Sequence, residues 1–164
     1  MAALNGIDTD RLRDYVTRAT ADPSVADRDP VVIARWMGAN EAEVRFPTEH
    51  PIVVGGDHPS AMRLVLAALA ACDIEVVATH ATLLGVEIDS LTIEASGHFN
   101  VSRLVGIDAD EAPGYQRIGY TVRLKTRGAT PEQLAALERA CEHASPLGDT
   151  MQRSVPLTLR FDAS

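Results

Sequence analysis

The sequence predicts a single α+β domain, on three observations. Short alternating runs, VVIARWMG, EAEVRF and IVVGG, read as the strands of a β-meander. One long alanine- and leucine-rich run follows Pro59 and reads as a dominant helix. Beyond it come two more alternating runs, a well-capped helix and a last apolar alternation. No repeated βα alternation supports a parallel doubly wound sheet.

Each element has a local cause. Asp8 and Thr9 are capping residues, and Leu12, Tyr15, Val16 and Ala19 recur at helical spacing, so a short amphipathic helix is expected there. Asp22-Pro23 and Asp29-Pro30 end it. Residues 1–29 therefore read as an N-terminal helical extension and residues 30–164 as the main domain. The meander's runs are separated by Gly38-Ala39-Asn40 and by Thr48 to Pro51. The long helix takes Asp57 or His58 as its cap, Pro59 in its first turn and Gly85 as a left-handed stop. A continuous helix over this run would be roughly 40 Å long, which leaves a kink or a break open. VEIDSLTIEASGHF and GYQRIGYTVRLKTR alternate as strands on either side of a long connection. ATPEQLAALERACEHAS has Thr130 as cap, Pro131 in the first turn and Gln133 at the third position. SVPLTLRFD is expected to close the chain as a strand.

Composition narrows the function. The chain has 164 residues, 46% of them apolar, and a formal charge of -8 without any basic run. That balance works against nucleic acid and anionic membranes as partners, and favours small molecules or proteins. The longest uncharged apolar stretch, Leu64 to Cys72, is too short to span a bilayer. Two cysteines without a secretory signal point to a reducing cytosol. His50, His58, His80, His98 and His143 show no ligand spacing, and Gly55-Gly56 lacks a phosphate-loop context, so neither metal nor cofactor is expected.

Cys72 is the residue with chemical promise. A thiol among alanines and leucines is by default a small hydrophobe; a reactive one needs a nearby cation. Its own helix opposes ionisation, because Asp73 is adjacent and Glu75 lies one turn on. The helix dipole has faded three turns in. A cation must come from another segment. Cys141 reads as a buried helix residue, and Trp36 and Tyr115 as packing residues.

Gly55-Gly56, Pro59, LVLAALAAC (64–72), APGYQRI (112–118), HASPLGDT (143–150) and VPLTL (155–159) follow one another in an order that resembles the OsmC/Ohr family over roughly residues 30 to 162. The resemblance implies an intertwined homodimer with active sites at the subunit boundary. It implies thiol-dependent reduction of organic hydroperoxides, with Cys72 at the peroxidatic position and a thiol reductant as partner. Three positions depart from the family pattern. Ser145 stands where the resolving cysteine is usual, Met62 where a carboxylate is usual, and Asn40 near the place of the hairpin arginine. Arg35, Arg45 and Arg63 are then the candidates for stabilising the thiolate. Cys141, about 6 Å along the helix from position 145, is not expected to replace the resolving thiol. Two readings stay open: a one-cysteine reductase resolved by an external thiol, or a non-catalytic protein that binds a small apolar ligand.

Overall fold

A computed structural model describes residues 3–163. The chain opens with a hairpin that periodicity does not announce: β1 (Ala3–Leu4) pairs antiparallel with β2 (Ile7–Asp8). Asn5-Gly6 makes its turn, with φ of 55° and 77°, as a tight hairpin requires. Asp8 then caps α1 (Thr9–Ala21), its side chain accepting from the Asp10 and Arg11 amides at 3.0 Å. A single 3-10 turn over Pro23–Ala26 follows the break at Asp22.

The meander forms as expected. β3 (Ile33–Gly38), β4 (Glu41–Arg45) and β5 (Ile52–Val54) make an antiparallel sheet in that order, with a bulge between Trp36 and Gly38. Trp36 does not pack: it is 79% exposed, and its indole N–H donates to the Ala39 carbonyl at 2.9 Å. The bulged edge turns it outward.

α2 runs unbroken over Ala61–Leu83, 23 residues or roughly 34 Å. Its cap is Ser60, whose hydroxyl accepts from the Arg63 amide at 3.3 Å. Asp57 and His58 lie too far upstream, and Pro59 sits outside the helix, where the residue before it is kept extended. Gly85 ends the helix with a φ of 71°. β6 (Glu87–Phe99) and β7 (Tyr115–Arg127) pair antiparallel along their whole length, and α2 lies against this ribbon. Tyr115 packs edge-on against Phe99 at 5.1 Å and donates to the Met62 carbonyl at 2.6 Å, tying β7 to the start of α2.

α3 (Pro131–His143) begins with the Thr130/Gln133 capping box. The chain breaks at Ala144 and starts a further helix, α4 (Pro146–Gln152), capped by Ser145. Position 145 is therefore not on the helix that carries Cys141. The final strand does not form. Residues 154–163 have no regular structure, and Leu157 is 97% exposed, with Leu159 and Phe161 also bare. A strand needs an edge to pair with, and residues 154–163 pair with none among the described residues.

The buried core is small: Leu69, Val76, Val77 and Ala81 of α2, Val86, and Leu137 and Ala140 of α3. No helix among the described residues is long and apolar enough to cross a membrane.

Candidate functional site

The periodicity of α2 decides what meets Cys72. At 100° per residue, Leu69, Asp73 and Val77 form one stripe, which is buried. Cys72 lies beside that stripe, half-buried, and meets the start of α4. Ser145 donates to its Sγ at 3.7 Å. Ser145 is itself buried and also accepts from the Gly148 amide at 3.1 Å. Gly148 eases this approach: a Cβ there would come within 3.1 Å of both Ser145 Cβ and Oγ, tighter than ordinary contact. The structure therefore joins Cys72 and Ser145, two positions singled out by motif alone.

The three candidate arginines are elsewhere. Arg63 is nine residues before Cys72, half a turn around the helix, and lines a shallow groove with Ala67, Ala70 and Ile93. Arg45 pairs with Glu43, and Arg35 stands opposite Glu43 in the ladder. None of them makes a hydrogen bond or ion pair with Cys72.

Sequence reasoning missed Arg117. It lies in the YQRI run of β7 and lines a groove of about 390 Å³ with Leu69, Tyr115, Tyr120, Gly148 and Met151. Leu69 is less than a turn before Cys72 and Gly148 is three residues after Ser145, so the groove is lined by the same stretches of α2 and α4 that carry the pair, while Cys72 and Ser145 themselves are not among its lining residues. Arg117 is the sole basic residue among those lining it, and it has no ion-pair partner among the described residues. In the sequence it was hidden by serving only as a strand residue in a motif.

Asp73 turns away from Cys72, toward Tyr120 of β7 and Cys141 of α3. It is 0% exposed, and neither carboxylate oxygen has a hydrogen-bond partner among the described residues. The Tyr120 phenol lies beside it, outside hydrogen-bonding geometry, and is pushed up to about 12 by burial and then by the Asp73 charge. Burial first, and Asp73 next, also raise the Cys141 thiol. Both cysteines are free. Among the described residues no group of three or more His, Cys, Asp or Glu side chains could hold a metal ion.

The OsmC-like protein family model matches residues 54–160, from the end of β5 through α2 and Cys72 to Ser145 and beyond. The chain belongs to the OsmC-like protein family. No curated protein sequence matches it. Its fold is that of solved OsmC-like structures. An OsmC-like protein from Mycoplasma pneumoniae aligns with a TM-score of 0.64 at 14% identity, over 77% of this chain and 89% of that one. An OsmC-like protein of unknown function from Vibrio cholerae aligns with a TM-score of 0.61 at 13% identity, over 76% and 94%. An OsmC-like hydroperoxide resistance protein from a Jannaschia species aligns with a TM-score of 0.51 at 18% identity, over 83% and 95%. At such identities the likeness establishes the OsmC-like fold, and the chemistry must be argued from this chain's own side chains.

Proposed function

We propose that this OsmC-like protein is a cytosolic homodimeric reductase of organic hydroperoxides that works through Cys72 alone. The observation that carries the reading is the Cys72–Ser145 contact beside a largely apolar groove holding one unpaired guanidinium. The groove suits the alkyl or aryl body of a hydroperoxide. The Cys72 thiolate attacks the distal peroxide oxygen; an S–O bond forms, the O–O bond breaks, and the alcohol leaves with a proton. Cys72 becomes a sulfenic acid. Ser145 cannot resolve it, because a hydroxyl forms no disulfide. An external thiol displaces water to give a mixed disulfide, and a second thiol releases Cys72 as the external disulfide forms. Arg117 is the cation we assign to hold the thiolate and the departing alkoxide, in place of Arg35, Arg45 or Arg63.

The dimer is supported by surface. The single chain exposes 12338 Å², where a compact monomer of 17.6 kDa would expose roughly 7,900 Å². Trp36, Leu157, Leu159 and Phe161 supply much of the uncovered apolar area. A second copy would cover them and give residues 154–163 a strand edge. Light scattering on the eluted protein tests this, and a monomer at micromolar concentration would refute it.

A second reading, a ligand-binding protein without peroxidase chemistry, is favoured by the absence of any guanidinium bonded to Cys72 among the described residues. One experiment separates the two. Reduced protein is treated with cumene hydroperoxide while intact mass and a sulfenic-acid probe are followed, in wild type, Cys72→Ser, Cys141→Ser and Arg117→Gln. The reductase reading expects labelling that needs Cys72, survives Cys141→Ser and slows in Arg117→Gln. Oxidation of Cys72 no faster than a free thiol would reject it.

A further inference from the structure

We infer that the cleft between α2, α3 and β7 binds an organic cation with an apolar body, whose ammonium group is taken by Asp73. A buried carboxylate without a partner is unfavourable by several kcal/mol, and Asp73 has none among the described residues while being fully buried. The Tyr120 phenol beside it is neutral, and no cation pairs with it among the described residues. The opening lies beside it: a cleft of about 500 Å³ whose lining includes Val77, one turn along α2 from Asp73, and Tyr120 and Cys141, the two groups that feel its charge. That volume suits a small organic molecule.

The lining selects the sign of the guest. Glu138 and Glu142 of α3 stand at the cleft, and none of the residues lining it is basic. His143 contacts Glu142 at 3.7 Å with both side chains largely exposed, and Arg139, next to Glu138 in sequence, is not among the lining residues. Three carboxylates without a cation repel phosphates and carboxylates and attract an ammonium group. The Tyr120 ring adds a face on which such a cation can rest. Leu134, Leu137 and Val122 take the apolar remainder. The site is independent of Cys72 chemistry, since Asp73 and Cys72 point about 100° apart on the helix.

The test uses hexylammonium chloride, with hexanol and hexanoate as controls of the same length. The readouts are calorimetric titration and protection of Cys141 from iodoacetamide. Saturable binding of hexylammonium alone is expected, with Cys141 protected in step. Asp73→Asn should weaken binding by roughly tenfold to a hundredfold, the worth of a charge-assisted hydrogen bond. Leu134→Trp, at an exposed position of the lining, should block the cleft and guards against misfolding of the Asp73 variant. Equal binding of hexanol, or an affinity unchanged in a folded Asp73→Asn, would overturn the inference. So would a cleft closed to hexylammonium whose Cys141 becomes reactive only on dilution, because a second copy would then be the occupant.

Discussion

Ser145 Oγ, 3.7 Å from Cys72 Sγ, spends its one proton on the thiol and its lone pair on the Gly148 amide, so a single hydroxyl links the middle of α2 to the first turn of α4. Replacing it with cysteine should put a second thiol where the hydroxyl stands. Ser145→Cys is expected to form an internal disulfide with Cys72 on treatment with hydroperoxide, seen as a loss of two hydrogens in the intact mass. Ser145→Ala should form none, and should lose about 1 kcal/mol of stability with the α4 cap, read from denaturant unfolding.

Asp73 is held in the core without a partner among the described residues, which makes it a stability liability. Asp73→Leu is expected to raise stability by about 1–3 kcal/mol, measured as an upward shift of the urea midpoint. The same substitution should abolish the cation binding inferred above.

Alkaline pH should unfold the protein early. Tyr120 titrates near 12 instead of the ordinary 10.0, and Cys141 is raised as well. The folded state keeps these protons after the unfolded chain has lost them, so it binds more protons and stability falls as pH rises. The contribution is intact below the ordinary values and disappears across about pH 10 to 12. Thermal midpoints measured from about pH 8 upward should show this loss, and Asp73→Asn should flatten it.

Much of the fold was legible because local chemistry and tertiary packing agree. The Thr130/Gln133 box and the Gly85 stop need only neighbours in sequence to act, and the alternation of β6 and β7 records a ribbon with one face on α2. What was hidden depends on distant partners. Trp36 has an apolar side chain in a strand and is nonetheless bare, since nothing in the single chain covers β3. Residues 154–163 alternate like a strand but pair with no edge among the described residues. Arg117 and Asp73 were unreadable as site residues for the same reason: one groove is made by α2, β7 and α4 and the other cleft by α2, β7 and α3, and no window of sequence contains all the elements of either. The break at Ala144 was overlooked because Ser145-Pro146 both ends one helix and starts the next.

Leu137 is among the few large side chains fully inside this small core. Leu137→Ala should cost about 2–5 kcal/mol, and in so lightly packed a chain that is a large share of the total. Circular dichroism during thermal unfolding would register the loss, and an unchanged midpoint would show that the core tolerates a void here.

The family-model match begins at residue 54, which invites trimming everything before it when the protein is prepared for study. Asn5 argues against doing so. Its amide donates to Thr82 Oγ1 at 3.2 Å and to the Val86 carbonyl at 2.9 Å, and its oxygen accepts from the Ile88 amide at 2.8 Å. A shortened chain would leave the bend from α2 into β6 without its clasp, roughly thirty residues downstream of the new end. The hairpin of residues 3–8 behaves as a built-in splint for the domain, and a tag is better fused at the other terminus only if the apolar residues 155–161 keep their freedom to pair.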